Sequence, residues 1–117
     1  MVSNILTGLV ALLHVYFMYL EMVVWDKPLG LKTFRLTQEF ATASKALAMN
    51  QGLYNGFLVA GLAWGLWLGD SGFAIRIFFL GCVTAAGIFG AVTVGKKILY
   101  VQALPALIAL LATIYGF

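Results

Sequence analysis

Four apolar stretches, each about long enough to cross a bilayer, leave this chain little choice of fold. They cover residues about 3–25, 47–69, 72–95 and 97–117, and a spanning helix needs about 20 mainly apolar residues. The rest of the composition agrees. Of 117 residues 63% are hydrophobic and 9% charged, whereas soluble domains average about 45–50% and about 25%. The chain is expected to be a single all-α domain, residues 1–117, held in a lipid bilayer.

The connections set the topology. "GDSG" (69–72) and "GKK" (95–97) are tight turns that force antiparallel neighbours, which predicts an up-down four-transmembrane-helix bundle. The first connection, residues 26–46, is the one polar segment, with Pro28 and Gly30 as breaks. From Thr37 its pattern turns helical, with Phe40, Ala43 and Leu47 on one face. Residues 37–46 therefore form either a separate interfacial helix or an extension of the second span.

Charge gives the orientation. The first loop carries Lys27, Lys32, Arg35 and Lys45 and the third Lys96 and Lys97, against Arg76 alone on the other side. Short loops rich in Lys and Arg stay in the cytoplasm, so both termini are expected outside it in a multi-pass arrangement. Basic residues serve orientation here, and no nucleic-acid partner is expected. The first apolar run is longer than a signal-peptide core of about 7–15 residues and lacks a basic leader, so it reads as a retained span. Cys82 stands alone in an apolar run, which leaves it neither a disulfide partner nor a cysteine cluster.

Small residues indicate how the helices meet. "GLYNG" (52–56), "GLAWG" (61–65) and "GLWLG" (65–69) give three GxxxG spacings, and Ala86–Gly90, Gly87–Ala91 and Ala91–Gly95 give similar grooves. Such spacing allows close backbone approach, either within the bundle or in a homo-oligomer. Trp25, Trp64, Trp67, Phe73, Tyr115 and Phe117 cluster near span ends as an interfacial belt. Pro105 is expected to kink the fourth span.

The candidate site lies in the first span. Thr7, Ala11, His14, Met18, Glu21 and Trp25 alternate steps of four and three, which puts them on one helix face. His14 and Glu21 stand two turns apart, about 10 Å along the axis. The second span enters from the same side with "MNQGLYNG", bringing Asn50, Gln51, Tyr54 and Asn55, with Gln51 and Asn55 at i, i+4. Tyr100, Gln102 and Thr93 are expected at the same depth. Polar groups in a membrane are costly and usually face the bundle interior. His14 and Glu21 are thus candidate acid–base groups, and Met18, Asn50, Gln51, Tyr54, Asn55, Tyr100 and Gln102 candidate ligand-binding residues. The plainer alternative is helix glue, with Asn and Gln hydrogen bonded across helices and Glu21 reaching toward Lys27. No metal set is present, and no cofactor is indicated. His14 and Met18 share a face and cannot clamp opposite sides of a haem iron.

"LHVYFMYLEMVVW", then a Pro/Gly loop, then "AMNQGLYNGFLVAGLAWG" resembles the small bacterial integral-membrane family catalogued as domain of unknown function 1304, over essentially the whole chain. The resemblance implies a four-helix protein of the bacterial plasma (inner) membrane and brings no assigned activity. The missing Arg-rich second-helix pattern argues against likeness to glutathione-linked eicosanoid enzymes. Three readings follow. In the first, the chain binds a lipophilic small molecule (isoprenoid, quinone or lipid) in a polar pocket open to the cytoplasmic half, as a binder or as an enzyme using His14 and Glu21. In the second it is an accessory membrane subunit docking through GxxxG faces. In the third it transports a small solute or ion as an oligomer.

Overall fold

A computed structural model describes all residues, Met1–Phe117, and every element in it is helical. In order these are α1 (Val2–Met22), α2 (Pro28–Phe34), α3 (Gln38–Trp67), a 3-10 turn (Gly69–Gly72), α4 (Phe73–Thr93), a π-helical turn (Leu99–Ala103) and α5 (Leu104–Ile114). The chain forms two compact units, Leu13–Val59 and Met1–Leu12 with Ala60–Phe117.

Two helical runs, Val2–Met22 and Gly69–Thr93, are long and apolar enough to cross a membrane, where the sequence suggested four. The difference has two causes. Helix α3 has ample length, 30 residues, but Asn50, Gln51, Tyr54 and Asn55 dilute its apolar run. The last apolar helix, Leu99–Ile114, falls short of the usual spanning length.

In the unit Leu13–Val59, the lower half of α1 runs antiparallel to the first part of α3. A Cβ added at Gly52 would meet Met22 Cγ at 2.4 Å and one at Gly56 would meet Met18 Sδ at 3.1 Å. Residues 38–46 extend α3 without a break, so the extension holds and there is no separate helix. Thr37 starts it as an N-cap, its hydroxyl accepting the Phe40 N–H at 3.1 Å. The face expected from Phe40, Ala43 and Leu47 is turned outward, with Leu47 74% exposed. The buried line is Ala41, Ala48, Gly52 and Asn55, steps of seven, four and three that keep one helix face. Between α1 and α3 the supposed loop is built rather than open. Pro28 opens α2, and Gly30 lets it lie on the end of α1, since a Cβ there would fall 2.1 Å from the Val24 carbonyl oxygen.

In the unit Met1–Leu12 with Ala60–Phe117, consecutive helices are again antiparallel. Gly65 of α3 lies under Arg76 and against Gly72, and Gly61 under the Phe79 ring. On the other side of α4, a Cβ at Gly87 would fall 2.6 Å from the Ala103 nitrogen, and Gly90 faces Ile98. Small-xxx-small spacings are therefore used for internal packing at Gly52, Gly56, Gly61, Gly65 and Gly87. The amino group of Met1 and the N–H of Val2 both donate to the Phe117 carbonyl, each at 2.8 Å.

Pro105 acts through the turn before it. Proline has no N–H and its ring crowds the carbonyl four residues back, here Val101. Residues 99–103 widen into a π turn in which the Leu104 N–H reaches the Leu99 carbonyl, which absorbs the misfit ahead of α5.

Candidate functional site

The spacing read along α1 places one face inward. Thr7 and His14 are fully buried, Ala11 is buried, and Met18, Glu21 and Trp25 are half-buried. Within the unit Leu13–Val59 this face carries a polar connection between helices: the Asn55 side-chain amide donates to Glu21 Oε1. The glycines on either side make it possible. Gly52 and Gly56 flank Asn55 by three residues and one, and both meet α1 side chains closely, so the backbones approach enough for two short side chains to join. Glu21 keeps its second oxygen, Oε2, outside that bond. One turn up, Met18 packs its sulfur on Gly56. Two turns up, the His14 ring stands edge-on to Phe17, centroids 5.2 Å apart.

Not every expected residue joins them. Asn50, Gln51 and Tyr54 lie on the exposed side of α3, Tyr54 at 56% exposure. Gly52 and Asn55 define the face of α3 that meets α1, and Gln51 is about 100° away from Gly52, so its i, i+4 relation to Asn55 does not bring it inward. In the other unit, Gln102 is half-buried and donates to the Val83 carbonyl at 3.4 Å. Tyr100 is 65% exposed, and the Thr93 hydroxyl bonds its own helix at Phe89. Of the expected set, Glu21 and Asn55 are joined and Met18 packs on the adjacent Gly56, while His14 lies buried two turns further along the same face of α1.

Below this group, polar pairs tie the chain reversal. The Trp25 indole N–H donates to Ser44 Oγ at 3.0 Å, and its ring lies 5.0 Å from that of Phe34. Lys45 pairs with Asp26 at 3.2 Å. The Lys45 hydrogen bond holds the Asp26 carboxyl below its ordinary value. Glu21 thus has Asn55 rather than Lys27 as its partner.

Arg76 is the residue whose role sequence reasoning missed. It reads as an orientation marker, yet it is 7% exposed and donates through one guanidinium nitrogen to the carbonyls of Gly65 at 2.7 Å and Gly69 at 2.6 Å. Gly65 lies in the last turn of α3, where carbonyls lack intrahelical partners, and a cation there also suits the helix dipole. The signal was an arginine one turn into an apolar helix, following a glycine-rich helix end.

Comparison with known proteins places the chain in a family and adds no activity. The chain is 30% identical over 113 residues to an uncharacterized protein, YpaA, of Lactococcus lactis subsp. lactis (strain IL1403), with 95% of each chain covered. No solved structure matches it significantly. The family model described as "Protein of unknown function (DUF1304)" matches residues 8–114, and the chain belongs to that family.

Proposed function

We propose that the chain is a multi-pass protein of the bacterial plasma membrane that binds a lipophilic small molecule, with the polar head at Glu21 and Asn55. Residues 26–46 and 95–97 face the cytoplasm in this reading and both termini lie outside it. The observation that carries it is the Glu21–Asn55 bond beside an uncommitted carboxylate oxygen. A half-buried carboxylate with one free oxygen can accept a hydroxyl or amide from an incoming head group, and Met18 offers an adaptable apolar wall for a tail. His14, buried on the same face, is the second candidate for proton transfer should a bond be made.

The test is the set of small molecules that co-purify in mild detergent, identified by mass spectrometry. A defined lipophilic species is expected with the wild type and absent from His14→Ala and Glu21→Gln. Bulk phospholipid alone in all three, with equal thermal stability, would reject the reading.

The accessory-subunit reading is favoured by a different observation. Asn50, Gln51 and Tyr54 face outward on α3, where a neighbouring helix in lipid would satisfy them. Gentle solubilisation would then retain a stoichiometric partner that Gln51→Leu releases.

A further inference from the structure

We infer that the turn built around α2 is a binding site for an anionic phospholipid headgroup, with Lys27, Lys32 and Arg35 around the phosphate. This rests on the membrane reading above and concerns a different part of the chain from the Glu21–Asn55 group.

The local construction fixes which side chains face out. Gly30 is pressed on the Val24 and Trp25 carbonyl oxygens, and Phe34, one turn later on the same side, stacks on Trp25. That anchors one face of α2 to the end of α1. Lys32 is two residues from Gly30, about 160° around the helix, so it projects outward with Pro28 and Leu29, and all three are exposed. Lys27 and Arg35 are the residues flanking the helix, both exposed; Arg35 turns the chain at φ 54° and closes the α2 end with its N–H on the Leu31 carbonyl.

Charge then selects the partner. The acids nearest in sequence do not neutralise this group: Asp26 is held by Lys45, and Glu39 forms no ion pair. Lys27, Lys32 and Arg35 form none either, although Lys27 also lies in the field of the Asp26 carboxylate, so the turn carries three exposed cations outside any ion pair beside exposed Pro28 and Leu29. Cations flanking an apolar edge, on a turn that follows a span, complement the phosphate of a lipid whose acyl chains begin at the same level. An anionic glycerophospholipid such as phosphatidylglycerol supplies both parts, whereas inorganic phosphate supplies only the charge.

The experiment uses the full chain in nonionic detergent with equal amounts of phosphatidylglycerol and phosphatidylcholine, and counts retained lipids by native mass spectrometry. Phosphatidylglycerol is expected to dominate. Lys32→Gln and Arg35→Gln should each lower its preference about fivefold, and the triple variant with Lys27→Gln should abolish it. Lys96→Gln with Lys97→Gln should leave it unchanged, and millimolar inorganic phosphate should not displace the lipid. Equal retention of the two lipids, a preference that survives the triple variant, or displacement by phosphate would each overturn the site. Recovery of the protein from the soluble fraction without detergent would instead overturn the membrane reading, so the two failures are distinguishable.

Discussion

The two compact units are both helical and both rich in close glycine contacts, yet they spend their polar groups differently. In Leu13–Val59 the bonds between segments mostly join side chain to side chain: Glu21 to Asn55, Trp25 to Ser44, Asp26 to Lys45, with Gln38 alone reaching a backbone carbonyl, that of Asp26. In the unit containing α4 and α5 they run from side chain to backbone: Arg76 to Gly65 and Gly69, Gln102 to Val83. A backbone carbonyl in a helix cannot swing away, so the second kind of bond fixes a helix in place. A side-chain pair can exchange its partner for a ligand. On the reading proposed above, the first unit is where binding belongs and the second is scaffold.

The sharpest way to break this contrast is to press on the scaffold. Gly87→Ala drives a methyl into the Ala103 backbone and should destabilise the protein by about 3 kcal/mol or prevent folding, read as lost thermal transition in detergent. Arg76→Leu should follow at about 2 kcal/mol, because it strips charged hydrogen bonds from two carbonyls. Asn55→Leu, in the unit Leu13–Val59, should lower stability by about 1 kcal/mol, with Glu21→Gln milder still because the amide oxygen can keep accepting. If Asn55→Leu proved as damaging as Arg76→Leu, the division of labour between the units would fail. Gly81→Ala is the internal control for the glycine argument. Nothing lies within 4 Å of its added Cβ, so it should stabilise α4 by about 0.5–1 kcal/mol.

The smallest effect concerns Asp26. Its carboxyl is depressed by Lys45, so the pair stabilises the fold above the ordinary carboxyl value of 3.8 and loses that contribution as pH falls below it. Asp26→Asn should lower the melting temperature slightly at pH 7 and match the wild type near pH 3, in a thermal scan repeated across that range.

Much of α1 was legible because a 3–4 spacing of Thr7, Ala11, His14 and Met18 has one helical solution, and burial follows it. Asn55 was legible as polar but not as the partner of Glu21. Which face of α3 turns inward depends on Gly52 and Gly56 meeting α1, a tertiary fact that moved Gln51 outward. Helix α2 was hidden because Pro28 and Gly30 are ordinary break signals; here one begins a helix and the other allows it to dock. Tyr100 was misplaced for a different reason: depth arguments assume a constant winding, and residues 99–103 do not keep it.

That π turn has a consequence for comparing this chain with its relatives. It amounts to one surplus residue in an α-helix, which rotates all that follows by about 100°. Ala106, Ala109 and Thr113, which follow it, are buried in that phase. A homologue one residue shorter within 99–103 would lose only the surplus residue and keep α5 in register, whereas one that lost a residue between 106 and 113 would turn its inner face outward. Alignment gaps in this family should therefore gather at the π turn and spare the helix after it.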